Sequence, residues 1–161
     1  MPVVTQTREP LSAYVAVGAN LGDALAAVIQ AIESLNHLPL TEVVASSALY
    51  QSEPYQAEGP PFINAVASIR TRLTAPKLLN ELQSMEEQAG RVRSRQNAPR
   101  QLDLDILFYG DATVFSHRLM LPHPRWMDRA FVLWPLQELA PHKVIPVMLH
   151  AVADQVIHKL P

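Results

Sequence analysis

Cysteine is absent from this 161-residue chain, which excludes disulfides, thiolate zinc sites and cysteine nucleophiles. Glycine is scarce, at five residues. Neither G-x-G-x-x-G nor G-x-x-x-x-G-K-[ST] occurs, so the two commonest glycine-loop nucleotide sites are excluded. No apolar run approaches the length that spans a bilayer as a helix. The opening MPVVTQTREP lacks a basic stretch followed by an apolar one, so no secretory signal is expected there. Lysine is also rare: of 13 basic residues only Lys77, Lys143 and Lys159 are lysine. The formal charge of −2 argues against a uniformly basic nucleic-acid binder. It conceals a local cluster, however. Arg91, Arg93, Arg95 and Arg100 lie within ten residues that contain no acid, and arginine offers a planar fork suited to phosphate and carboxylate.

Hydrophobic residues make up 48% of the chain and charged ones 17%, a globular composition of one-domain length. We expect residues 1–11 to be a flexible lead and 12–161 a single domain. AYVAVG (13–18) reads as a short buried strand. A helix over 23–37, capped by Asn20 or Asp23, follows from the spacing of Leu25, Val28, Ile29, Ile32 and Leu35. TEVVASSALY (41–50) and FINAVASIRTR (62–72) read as strands on either side of a Pro-rich loop. Thr74 caps a second helix over 75–89, stopped by Gly90. QLDLDILFY (101–109) alternates as a strand, and short extended pieces follow near 112–115 and 118–121. A helix is expected around 127–139, and a last short one over 147–159. The order β-α-β-β-α-β predicts an α+β, ferredoxin-like sandwich. Its largely antiparallel sheet would carry helices on one face and leave the other open to ligands.

Inside the strand 101–109, Asp103 and Asp105 fall on one face, roughly 7 Å apart along the chain. Leu102, Leu104 and Ile106 fall on the other. Magnesium takes one or two carboxylates plus phosphate oxygens, so the pair suits Mg²⁺; an acidic, solvated strand face is the plainer alternative. The arginine run just before it is compatible with a solvated loop or with a clamp on polyphosphate, closing over substrate as a lid. Surface ion pairs are worth only about 0–1 kcal/mol, a weak reason for four arginines. His123 stands between two prolines and near Arg118, Arg125 and Arg129. The other histidines read as surface or structural. Phe62 and Phe131 are compatible with core packing or with stacking on a ring. Asn64 both donates and accepts, as the edge of an amide-bearing heterocycle requires. Trp126 and Trp134 read as packing residues.

Taken together, AYVAVGANLGD (13–23), YQSEP and PPFINAV (within 50–66), GRVRSRQNAPRQLDLDILFYG (90–110) and RLMLPHPRWMDRAFVLWPL (118–136) resemble the 6-hydroxymethyl-7,8-dihydropterin pyrophosphokinases of folate biosynthesis. The resemblance covers residues 13–141. It implies transfer of the β,γ-pyrophosphoryl group of ATP to the pterin hydroxymethyl oxygen, with release of AMP and with two Mg²⁺ ions. On matching positions it implies Asp103 and Asp105 as catalytic residues and metal ligands, and Arg91 and Arg100 as catalytic arginines. Arg93, Arg118, His123 and Arg129 would face the nucleotide, Ile106 would present its backbone to the adenine, and Glu86 would lie near it. Phe62 and Phe131 would sandwich the pterin, with Asn64 and Ser52 at its edge. A cytoplasmic monomer with small-molecule partners only, and neither nucleic acid nor membrane, is expected. The chain departs from the family pattern at Pro124, Gln101, Asn97-Ala98 and Glu53.

Three rivals make different predictions. A metal-dependent phosphohydrolase would split ATP without pterin. An RNA-binding module would show exposed aromatics on a basic sheet face, where this sequence places acids. A regulatory or dimerising sandwich leaves the paired aspartates and the arginine run without a role.

Overall fold

The computed structural model describes residues 8–54, 59–90 and 101–161. The chain runs β1 (Leu11–Ala19), α1 (Ala24–Leu35), β2 (Thr41–Ser46), β3 (Tyr50–Ser52), β4 (Phe62–Thr71), α2 (Ala75–Gln88) and β5 (Asp103–Tyr109). Then follow β6 (Val114–Phe115), β7 (Met120–Leu121), a short 3-10 turn (Trp126–Asp128), α3 (Ala130–Leu139), α4 (Pro146–Ala151) and β8 (Ile157–Lys159). The main sheet has the order β5-β1-β4-β3-β8, with β2 also on β4. Every pairing described is antiparallel. The α+β, ferredoxin-like architecture expected from the element order is the one formed.

From Ala13 onward strand β1 is almost wholly apolar, because it lies between β4 and β5 and is covered on both faces. Ala13, Val15, Val17 and Ala19 point into a core shared with Val28 and Leu35 of α1 and Leu78 and Leu82 of α2. Tyr14 and Ala16 point the other way, towards Val132, Leu133 and Leu136 of α3. The two-residue alternation along β4 divides in the same manner. Ile63, Ala65, Ala67 and Ile69 enter the first core and Val66 the second. The free face expected from the sequence is therefore narrower than anticipated. Helices α3 and α4 cover its middle, and the open ground lies at one end of the sheet and along the β5 edge.

Both helix starts are set by local chemistry. Asp23 caps α1, accepting from the Ala26 N–H at 3.0 Å, while Asn20 is buried and donates instead to the Pro60 carbonyl at 3.1 Å. Thr74 caps α2, with Pro76 in its first turn. Strand β1 begins at Leu11, inside the expected lead, and the carbonyl of Arg8 just before it accepts from Arg72 at 3.0 Å.

Three elements differ from the sequence expectation. The strand expected over 41–50 is two strands on the same partner. Ser46 pairs with Ala67 and Tyr50 with Asn64, so this side carries one residue more than β4 between those pairs. Ser47 takes up the break, its hydroxyl accepting from the Val66 N–H at 2.9 Å, and Glu138 accepts from the Ala48 N–H at 3.0 Å. The helix expected over 127–139 is broken at Arg129, which is extended between the 3-10 turn and α3. The helix expected over 147–159 is only the short α4, after which the chain extends as β8 along β3. The unpaired edge of β3 needs a backbone partner, a demand invisible in the local pattern of the tail. Strand β5 also carries a bulge: Ile106 pairs with Val15 and Phe108 with Tyr14, leaving Leu107 extra.

Candidate active site

Strand β5 is an edge strand, so part of its backbone must be satisfied from outside the sheet. Glu86 on α2 does this for Leu104. Glu86 is 2% exposed, and its carboxylate accepts from the Leu104 N–H at 2.9 Å. Leu104 lies between Asp103 and Asp105, so that bond fixes the segment carrying both carboxylates. Leu102, Leu104 and Ile106 fill the first core, and the two aspartates emerge half-buried on the opposite face.

A cleft of about 320 Å³ follows this edge. Its floor is Asp103 to Ile106; Leu79, Gln83 and Glu86 form one wall, and Ser116 to Met120 with His123 and Pro124 form the other. Arg118 reaches across to α2, donating to Asn80 and, at 3.3 Å, to Gln83. The backbone N–H of His123 donates to the Leu107 carbonyl at 2.9 Å, which pins its loop to β5. Its Nδ1 accepts from the Arg125 N–H at 3.1 Å. The neutral ring therefore carries its proton on Nε2, which stands 4.0 Å from Asp105 Oδ2. Burial, reinforced by Arg129 and Arg125 against the opposing pull of Asp103, pushes His123 down to about 4. The contact with Asp105 is thus one between a neutral imidazole and a carboxylate near neutral pH.

Arg129 approaches the same Asp105 oxygen to 3.9 Å, and its guanidinium lies over the Phe131 ring, 5.4 Å from the centroid. Phe131 lines a second cavity of about 190 Å³ with Ser52, Glu53, Pro54, Ala130, Asp154, Gln155 and Val156. At this end of the sheet Asn64 is buried, its amide donating to Ser52 Oγ at 2.7 Å. Asn64 and Asp103 both pair with Gly18 from either side. A methyl group on Gly18 would meet Asn64 Oδ1 at 3.1 Å and Phe62 at 3.9 Å. The floor between carboxylate, amide and aromatic ring is therefore bare backbone.

The structure thus gathers Asp103, Asp105, Ile106, Glu86, Arg118 and His123 around one cleft, with Arg129 between it and Phe131. Ser52 and Asn64 are hydrogen-bonded to one another beside Phe62. Glu86 lines this cleft, and its carboxylate also holds the β5 backbone. Arg91, Arg93, Arg95 and Arg100, with the lid expected around them, lie outside the described residues. Residues the sequence reading passed over include Gly18, Gln83, His117 and Met120 in or beside the cleft. Of these only Gly18 left a signal, as a glycine within an apolar strand. Trp126 packs edge-on to Phe108 at 5.0 Å as expected, whereas Trp134 is 38% exposed and lines a surface groove.

Among the described residues no group of three or more acidic or histidine side chains could hold a metal by itself. Two carboxylates on one strand face, opening on a cleft, nevertheless fit a hard divalent cation whose other ligands are phosphate oxygens and water.

The chain matches the family model for 7,8-dihydro-6-hydroxymethylpterin-pyrophosphokinase over residues 14–141. It is 41% identical over 155 residues to the 2-amino-4-hydroxy-6-hydroxymethyldihydropteridine pyrophosphokinase of Pseudomonas aeruginosa, covering 92% of this chain and 96% of that one. With the enzyme of the same name from Haemophilus influenzae it shares 41% over 137 residues, 84% of this chain and 86% of that one. With that from Methylorubrum extorquens it shares 44% over 134 residues, 83% and 85%. By this family match and these relatives, the chain belongs to the 7,8-dihydro-6-hydroxymethylpterin-pyrophosphokinase family.

Proposed function

We propose that this chain transfers the pyrophosphoryl group of ATP to the hydroxymethyl group of 6-hydroxymethyl-7,8-dihydropterin, releasing AMP, and that the residues gathered at the β5 edge carry the reaction. The observation that carries this reading is Arg129, which touches Asp105 on one side and Phe131 on the other. A transfer between two substrates requires a nucleotide site and an acceptor site that adjoin, with reacting atoms held in line. The nucleotide takes the 320 Å³ cleft, with Arg118 and His123 on its walls and the Ile106 backbone in its floor. The pterin takes the end of the sheet above Gly18, between Phe62 and Phe131, its polar edge read by Asn64 and Ser52.

Asp103 and Asp105 would hold magnesium, two ions by family resemblance, together with the phosphates. Bound there, Mg²⁺ neutralises phosphate charge and polarises the attacking hydroxyl. Asp105 also anchors Arg129, whose guanidinium faces the phosphoryl group as negative charge shifts during transfer. His123 donates its Nε2 proton to an anionic oxygen without bringing a full charge. Glu86 keeps both carboxylates in place through Leu104. By family resemblance Arg91, Arg93 and Arg100 are further cations of the reaction. The unit in this reading is a cytoplasmic monomer.

The deciding experiment follows AMP release from ATP and Mg²⁺ with and without 6-hydroxymethyl-7,8-dihydropterin. AMP is expected only with the pterin, and chelation should stop its release until Mg²⁺ is restored. Phosphate release independent of pterin would favour the phosphohydrolase.

A further inference from the structure

Arg129 joins the two halves of the site, and its carbonyl accepts from the Val132 and Leu133 N–H groups of α3, each at 3.0 Å. It sits extended between the 3-10 turn and α3, and as the N-cap of α3 it supplies no side-chain bond to the helix start. The first N–H groups of a helix require a partner from elsewhere. That partner comes from the tail. The side-chain oxygen of Gln155 accepts from the Ala130 N–H at 2.8 Å, and its amide nitrogen donates to the Asp128 carbonyl at 2.7 Å. One side chain thus grips the backbone immediately before and immediately after Arg129. Gln155 also lines the 190 Å³ cavity with Phe131. It is placed there by its own N–H, which donates to the Val152 carbonyl at 3.0 Å, and by β8, which anchors the tail on β3.

We propose that Gln155 is a positioning residue for the transfer reaction: it clamps the segment 128–130 and so fixes the guanidinium of Arg129 between Asp105 and Phe131. Asparagine is one methylene shorter. Glutamate keeps an acceptor for Ala130 but loses the donor to Asp128. The primary amide has both groups in one plane, matched to a carbonyl and an N–H two residues apart. The inference rests on the reading above that Arg129 faces the nucleotide.

A double-mutant cycle tests it, with the affinity for α,β-methylene-ATP in the presence of Mg²⁺ read by calorimetry and thermal unfolding followed alongside. Gln155→Met, which keeps length and removes both bonds, is expected to weaken binding about tenfold, the scale of one lost hydrogen-bonded restraint. In an Arg129→Ala background the same substitution is expected to change the affinity less than about twofold, because the group it positions is gone. A merely structural role would lower the melting temperature and shift affinity equally in both backgrounds; equal losses would overturn the proposal. Wild-type affinity in Gln155→Met, with Arg129→Ala impaired, would overturn it and leave the site reading standing. An Arg129→Ala protein that binds normally would overturn that reading and this inference with it. If Gln155→Met does not fold, Gln155→Glu replaces it in the cycle, with a smaller loss expected under the same criteria.

Discussion

At the residue scale the site depends on what two positions have and one position lacks. Asp103 and Asp105 project from a strand whose other face is core, so their direction is fixed by packing rather than by their own rotamers. Asp105→Asn retains the volume and removes the charge. Turnover is expected to fall at least about a hundredfold, the usual scale for losing one charge-stabilising group, with circular dichroism and the melting temperature near those of the parent. A near-normal rate would remove Asp105 from the machinery. Gly18 contributes its missing side chain. A Cβ there would press on Asn64 Oδ1 at 3.1 Å, the amide proposed to read the pterin. Gly18→Ala should therefore weaken pterin binding several-fold in a direct titration while leaving the affinity for the ATP analogue unchanged. A matched loss of both would mean that the strand itself had shifted. The aspartates were legible as a pair from two-residue spacing. The role of Gly18 was not, because it depends on two neighbouring strands brought together from residues 64 and 103.

At the element scale the important relation is between α2 and β5. The helix is readable from its apolar spacing and its Thr74 cap, and Glu86 matches a position of the family pattern. Only the packed structure shows that Glu86 accepts from the Leu104 N–H of an edge strand. Glu86→Ala leaves that buried donor unpaired, and a loss of about 1–3 kcal/mol in urea unfolding is expected. Turnover should drop as well, since the slackened strand is the one bearing both carboxylates. Glu86→Gln keeps an acceptor and should lose less on both counts; equal defects in the two variants would point to charge rather than to the strand bond. The elements misread from sequence share one cause. Ser47, Arg129 and Ile157 each stand where a tertiary partner overrides local pattern: the Val66 backbone, the side chain of Gln155, and the open edge of β3. None of these lies within the window over which periodicity operates.

At the scale of the whole molecule the sheet is a partition. One core lies under α1 and α2 and reaches the cleft through Leu79, Leu104 and Ile106. The other shares its face with the site, and His123 lies at that boundary, pushed down to about 4 in the folded protein against about 6.5 for the unfolded chain. Between those values the unfolded state binds the extra proton. Stability therefore rises with pH across that window and is lost as pH falls from about 6.5 towards 4. The metal-free protein should show a melting temperature that declines over this range, with the decline flattened in His123→Gln. A titration of the ring by nuclear magnetic resonance with a midpoint near 6.5 would contradict it. The fold class was legible because element order and the faces of β4 were fixed by residues close in sequence. The coverage of the second face was not, since α3 and α4 are packed there by contacts with distant strands.

The bulge in β5 bears on how this strand can tolerate changes in length. Up to Ile106 the residues alternate between the first core and the cleft face; Leu107 and Phe108 then both turn to the second core, and Tyr109 returns to the first. Leu107 is the supernumerary residue. A lineage that lost it would restore strict alternation and leave Asp103 and Asp105 facing the cleft, at the cost of the carbonyl that holds His123. Loss of Leu104 would instead bring Asp103 beside Asp105 in sequence and turn one of them into the core. A single codon's deletion, three residues apart along one strand, thus separates a change the sheet can absorb from one that dismantles the site.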